Sequence, residues 1–223
     1  MSHYNLLWQR FKTPPVKWHY NSMQEVIDEP IVKDGLGLEV GCGSGYDMYL
    51  MATSHPNTRF YGIDVCDTSN ARNLTKHLSN VWIMNYSVFN IPIEDASFDF
   101  VYSFGVIHHT PDPKRALKEI YRVLKPNAPV FTYFYESHTG LKFLAIKLIS
   151  LIRIVTTRLP PEVLFKICRR FKLWGDLYDR FATPIEHRYS KTQIYDLFKK
   201  CNYRDIKITK LIGSAGWVVW ARK

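Results

Sequence analysis

Cysteine is scarce in this chain and its spacing does little. Cys42, Cys66, Cys168 and Cys201 stand 24, 102 and 33 positions apart, with no Cys-x-x-Cys pair and no histidine at ligand spacing beside them. A disulfide scaffold is excluded and a structural zinc site has no framework, so a reducing, metal-free setting is expected. Long hydrophobic runs are also missing. The most apolar stretch, Leu141 to Val155, is 15 residues long and contains Lys142, Lys147 and Arg153, whereas a membrane span needs about 20 residues with few charges. Met1 to Lys17 mixes His3, Asn5, Gln9, Arg10 and Lys12 among its apolar residues. With neither a basic n-region nor an apolar h-region there, no export signal and a cytoplasmic location are expected. Internal repeats and low-complexity tracts are absent as well.

Acidic residues run short in one part only. Residues 1–135 hold 12 Lys and Arg against 13 Asp and Glu, while residues 136–223 hold 18 against 7, so the whole net charge of +10 comes from the second part. Such asymmetry fits an anionic partner handled by that part, or a solvated basic face.

What is present is the composition of a globular protein: 46% apolar and 22% charged over 223 residues, enough to bury a full core. Ile31 to Phe134 alternates short apolar runs with polar helical ones, the pattern of a parallel sheet covered by helices. Strands are expected at Gly37–Val40, Arg59–Asp64, Val81–Asn85, Phe98–Phe104 and Val130–Tyr135, and helices at Tyr46–Ser54, Asn70–His77 and Pro113–Val123. Ala116, Leu117, Ile120, Val123 and Leu124 repeat at helical spacing before Lys125-Pro126-Asn127 ends that helix. The basic stretch Leu141 to Phe181, broken by Pro160-Pro161, reads as a helical insertion, and Ser190 to Lys199 as a helix capped by Ser190 or Thr192. Two closing strands, Asp205–Leu211 and Trp217–Ala221, flank the loop Ile212-Gly213-Ser214-Ala215-Gly216. The fold class is therefore α/β: a doubly wound, Rossmann-like, seven-stranded, mostly parallel sheet with a helical insertion before the last two strands.

Leu38-Glu39-Val40-Gly41-Cys42-Gly43-Ser44-Gly45 is a strand running into a Gly-x-Gly-x-Gly turn and then a helix. Glycines there let a ligand lie against the backbone near a helix N-terminus. Asp64 closes the next strand 21 residues past Gly43, where a carboxylate can accept from both hydroxyls of a ribose. A dinucleotide enzyme is disfavoured, because its third glycine would fall at Tyr46. Further on, Ile91-Pro92-Ile93-Glu94-Asp95-Ala96-Ser97-Phe98-Asp99-Phe100-Val101 leads through Ser103-Phe104-Gly105-Val106-Ile107-His108-His109-Thr110-Pro111-Asp112-Pro113 to Arg122-Val123-Leu124-Lys125-Pro126.

With the glycine loop and Asp64, these blocks resemble the class I S-adenosylmethionine-dependent methyltransferases of small-molecule type, with a type 11-like domain, over roughly residues 35–135. The resemblance implies S-adenosylmethionine as cofactor. Glu39, Gly41, Cys42 and Gly43 would line its methionyl end and Asp64 its ribose. Val65 would lie against the adenine, Val88 would offer its backbone amide, and Phe104 its carbonyl to the methionyl amine. Ser87 stands where the family usually has an Asp for the adenine amino group. The charge-assisted part of that bond is lost, so weaker cofactor binding or a replacement from Asn85 is expected. The chain then divides into an N-terminal cap with the cofactor half at 1–135, a basic insertion on the acceptor side at 136–189, and a final helix with closing strands at 190–223.

Methyl transfer needs chiefly an aligned nucleophile, and a general base is optional. His108 and His109 follow the fourth strand at the ligand-binding edge, and His109 is expected to face the pocket, the alternative being that both only hold the loop. Glu186-His187-Arg188-Tyr189 gathers a carboxylate, an imidazole, a guanidinium and a phenol, and His187 is the second candidate; a solvated helix entry is the alternative. No Asn/Asp-Pro-Pro-Tyr follows the fourth strand and no Pro-Cys nucleophile occurs, which leaves small-molecule, lipid-linked or glycan acceptors, with O-methylation expected. RNA methylation and a non-catalytic module are the competing readings. Because Leu, Ile and Phe stud the basic segment, it is expected to form the acceptor side of the pocket and to make peripheral contact with a membrane through residues 141–181, and nucleic acid is disfavoured.

Overall fold

Residues 34–135 fold as expected because each apolar run is bracketed by turn residues and followed by a segment with one apolar face. The computed structural model describes residues 3–10, 17–29, 34–171, 174–211, 214 and 216–223. Its sheet holds β1 (Gly35–Val40), β2 (Thr58–Ile63), β3 (Val81–Met84), β4 (Phe100–Phe104), β5 (Pro129–Tyr135), β6 (Arg204–Lys210) and β7 (Gly216–Arg222). The spatial order is β3-β2-β1-β4-β5-β7-β6. β1 pairs in parallel with β2 and β4, and only β7 runs antiparallel, against β5 and β6. The order reverses at β1, with Glu39 paired to Gly62 on one side and Tyr102 on the other. In sheets of this kind the ligand crevice opens beyond the carboxyl ends of the strands at that point.

The helices are α1 (His3–Arg10), α2 (Lys17–Asp28), α3 (Tyr46–Ser54), α4 (Ser69–Thr75), α5 (Pro113–Val123), α6 (Gly140–Thr156), α7 (Pro161–Cys168), α8 (Trp174–Ala182) and α9 (Lys191–Lys199). Asp112 starts α5 by accepting from the Arg115 N–H at 3.0 Å, with Pro113 at its first position. Ala116, Leu117, Ile120 and Val123 bury its inner face in a core shared with Ile194 and Phe198 of α9. The opposite face of the sheet is covered by Met23 and Val26 of α2 and Met48 and Met51 of α3. Ser190, not Thr192, caps α9, because Gln193 reaches back to close a capping box.

Strand ends differ from the sequence reading by one or two residues. Phe98 makes only an isolated bridge to Leu124, so β4 begins at Phe100. Lys172, Ile212, Gly213 and Ala215 lie outside the described residues. The insertion supplies α6, α7 and α8 between β5 and α9, and its core is shared with the N-terminus: Leu6 and Leu7 of α1 pack on Leu164, Phe165 and Cys168 of α7 and Tyr178 of α8.

Candidate active site

Two of the loop glycines have no substitute. Gly41 (φ +78°) would place a Cβ 2.2 Å from a Val106 methyl, and Gly45 (φ +80°), which caps α3, would place one 2.7 Å from the Ala71 backbone. The loop is pinned by Gly41 and Cys42 N–H groups donating to the Ile63 carbonyl at 2.7 and 3.1 Å. Asp64, nearly buried, accepts from the Gly43 N–H at 2.9 Å and the Cys66 N–H at 2.8 Å. Each of its oxygens keeps a further lone pair for a ribose hydroxyl.

A cavity of about 300 Å³ opens over this edge. Gly41, Asp64, Val65, Ser87, Val88, Gly105, Val106, His109 and Thr110 are among its lining residues. Val65 is 68% exposed, which offers a purine ring a bare apolar surface. Ser87 Oγ accepts from the Phe89 N–H at 3.2 Å. Asn85 does not line the cavity: its amide nitrogen donates to the Asp64 and Cys66 carbonyls and fixes the turn that presents Asp64.

Glu39, Cys42, Gly43 and Phe104 adjoin the cavity in sequence without lining it. Trp8 of α1 covers Gly43, and His19 of α2 stacks on Phe104 with ring centroids 3.9 Å apart. His19 also lies 2.7 Å from Asp47, which accepts from the Tyr102 hydroxyl at 2.9 Å. Beside this group Glu39 Oε2 is buried with no hydrogen-bond partner among the described residues. Burial first, and then the Asp47 and Asp64 carboxylates, hold the Glu39 carboxyl well above its ordinary value. A cationic amine or sulfonium is what such a site lacks. Burial likewise pushes the Cys42 thiol up, so it stays protonated behind the wall.

Elsewhere in the lining, His109 Nδ1–H donates to the Ile185 carbonyl at 2.8 Å, which fixes the tautomer and leaves Nε2 as acceptor. Burial lowers its pKa to about 4. His108 is fully buried outside the cavity, with Nδ1 3.2 Å from the Tyr133 carbonyl and its pKa pushed well down by burial and then by His109. His187 does not reach the wall: its backbone N–H donates to the His108 carbonyl and its Nε2 to the Thr110 carbonyl at 3.1 Å. Both bonds fasten the histidine loop. No described residue of 136–189 lines the cavity. The inner faces of α7 and α8 are instead covered by α1, whose Tyr4 and Trp8 supply that side of the wall. Sequence reasoning missed these two, although their spacing of four places them on one helix face.

Residues 38–132 match the family model described as a methyltransferase domain. Among curated proteins, a demethylmenaquinone methyltransferase of Geobacillus is 30% identical over 52% of this chain and 50% of its own length. A tRNA U34 carboxymethyltransferase of Ruthia magnifica is 36% identical over 50% of this chain and 35% of its own. The chain thus spans half the length of these relatives or less. Among solved structures, a SAM-dependent methyltransferase from Aquifex aeolicus superposes with a TM-score of 0.62 at 19% identity, over 95% of this chain and 99% of that one. The glycine loop, the ribose-ready carboxylate and the unsatisfied Glu39 fit one cofactor, and the chain has the class I S-adenosylmethionine-dependent methyltransferase fold, with the methyltransferase-domain match at residues 38–132.

Proposed function

We propose that the protein methylates an oxygen of an apolar small-molecule or lipid-linked acceptor, with His109 receiving the hydrogen bond of the acceptor hydroxyl. When bound, S-adenosylmethionine supplies a methyl group activated by a sulfonium, and the chain's residues align what attacks it. The observation that carries this reading is the His109 imidazole in the cavity wall, its Nδ1–H committed to Ile185 and its Nε2 left to accept. Glu39, Asp64 and the glycine loop would hold the cofactor, and Tyr4, Trp8 and Val106 would exclude water from the acceptor. With a pKa of about 4, His109 is a weak base. It suits a phenolic or enolic hydroxyl, with a pKa of about 10 for a phenol, far better than an aliphatic alcohol. The Geobacillus relative, named for a quinone substrate, supports an acceptor of this kind.

RNA methylation is the second reading, favoured by the tRNA-named relative. It ranks lower because the exposed apolar residues among the insertion's cations are mostly Leu, Ile and Val, with Phe143 and Phe171 the two exposed aromatics described there, where an RNA surface favours stacking aromatics. Incubation with methyl-labelled cofactor and, in parallel, phenols, polyprenyl quinols, oligosaccharides and tRNA tests both. Label in an O-methyl product of an apolar hydroxyl is expected, and label in tRNA alone overturns the proposal.

A further inference from the structure

We propose that the outer faces of α6 and α7 dock the protein onto an anionic membrane surface, with α6 lying in the headgroup interface. α6 is inverted relative to a helix that faces water. Its buried position is an arginine: Arg153 is 9% exposed, with Nε donating to the Arg180 carbonyl and Nη2 to Glu186, both at 2.6 Å. Ile146, Ile149 and Thr156 share that narrow inner strip at helical spacing. The opposite face presents Leu141, Leu144, Leu148, Leu151 and Val155, all between 60 and 84% exposed. Polar residues belong on a solvent face, so a contiguous leucine row there marks a contact surface.

α7 continues the pattern at lower apolar density. Val163, Ile167 and, just beyond it, Phe171 are exposed, and Lys166, Arg169 and Arg170 stand exposed among them. Between residues 141 and 171 the exposed charged side chains described are Lys147, Arg158, Lys166, Arg169 and Arg170 against Glu162 alone. Charge chooses the occupant. A second copy related by two-fold symmetry would set these five cations against the same five, whereas an anionic lipid surface complements them and accepts the leucines between its headgroups. Spanning is not available: α6 has 17 residues, about 25 Å of helix against a hydrocarbon core of about 30 Å. Among the described residues no helix is long and apolar enough to cross a membrane.

The docked face borders the cavity by two routes. The inner strip of α6 holds Glu186, next to the Ile185 carbonyl that fixes His109, and α7 backs the α1 helix that carries Tyr4 and Trp8. Docking itself does not rest on the methyl-transfer reading, because its test measures binding.

The experiment is co-sedimentation of the full chain with phosphatidylcholine vesicles and with mixed phosphatidylcholine and phosphatidylglycerol vesicles, at low and high salt. Binding to the anionic vesicles, reduced by salt, is expected. A Leu148→Asp, Leu151→Asp double variant should lose it by about tenfold or more, and these exposed positions leave the fold and S-adenosylhomocysteine binding unchanged. A Lys166→Glu, Arg169→Glu variant should lose the preference for anionic lipid. Equal, negligible binding to both vesicles at low salt overturns the proposal, as does binding indifferent to the leucine substitutions. A dimer that the leucine variant dissociates, with no vesicle binding by the parent, gives the face to a second copy and overturns it too.

Discussion

Arg153 and Glu186, 33 residues apart, meet at 2.6 Å with side chains only 10% and 6% exposed, and the other Glu186 oxygen accepts from Arg188 Nε, also at 2.6 Å. This triad fastens α6 to the segment that holds the histidine loop. Removing one member of a buried charge group strands the others, at a cost of about 3–5 kcal/mol. Glu186→Ala should therefore lower unfolding stability by about that amount in urea titrations, and a loss under about 1 kcal/mol would show the triad to be water-screened. Burial pushes the Glu186 carboxyl up, but the two guanidiniums together outweigh this and hold it below its ordinary value. Its contribution is present above the unfolded value, about 4.3, and disappears as pH falls through the lower folded value.

The two adjacent histidines make a separate pH prediction. Both are driven neutral by burial, His109 to about 4 and His108 well below its ordinary value. An unfolded histidine binds a proton below about pH 6.5, so the native state lacks protons that the unfolded state takes up. Stability should fall as pH drops from about 6.5 towards 4, with each histidine adding up to about 1.4 kcal/mol per pH unit. His109→Gln should flatten the slope of urea-derived stability against pH, and an unchanged slope would place that ring in water.

Much of this was legible locally. Strand-loop-helix signals within about ten residues fix β1, the glycine loop and α3, and Asp112-Pro113 announces α5 by its own capping chemistry. What escaped depends on contacts between distant segments. Tyr4 and Trp8 reach the cavity only because α7 and α8 bury Leu6 and Leu7 from below, and His187 turns to Thr110 because β5 and the 185–189 segment run side by side. The insertion showed apolar and basic residues in its sequence, but which face points outward is settled by Arg153 finding Glu186 inside.

Asp64 should dominate cofactor affinity. Asp64→Ala removes the ribose acceptors and the partners of Gly43 and Cys66, and S-adenosylhomocysteine binding should weaken by on the order of 2–3 kcal/mol in calorimetry. Ser87→Asp should bind as well or better; a large loss would move the adenine elsewhere. Because the Glu39 carboxyl is held well above its ordinary value, an incoming ammonium should release a proton. Binding enthalpies in buffers of different ionisation heat should differ, and Glu39→Gln should abolish the difference.

Gly45→Ala and Gly105→Ala separate strain from collision. Both residues have positive φ, +80° and +73°, but a Cβ at Gly45 meets the Ala71 backbone while one at Gly105 meets nothing within 4 Å. Gly105→Ala should cost about 1–2 kcal/mol, the left-handed penalty alone. Gly45→Ala should cost clearly more and reduce cofactor binding, so equal melting temperatures would contradict the loop geometry.

His109 and His187 are told apart by a pH profile. His109 lines the cavity and His187 only holds the Thr110 carbonyl, so the two substitutions should fail differently. With its pKa at about 4, His109 stays neutral and able to accept down to about pH 5. kcat/KM for an O-methylated acceptor should show no loss from this group between pH 7 and 5, then fall as Nε2 takes a proton. His109→Gln should lower kcat by about 10²–10⁴-fold, the range for a positioned base, leave S-adenosylhomocysteine affinity unchanged and remove the acid limb. His187→Gln, which can still donate to Thr110, should keep both rate and profile, while His187→Ala should lose stability and rate together without moving the limb. An acid limb that His187→Gln removes and His109→Gln leaves in place would transfer the proton-accepting role to His187.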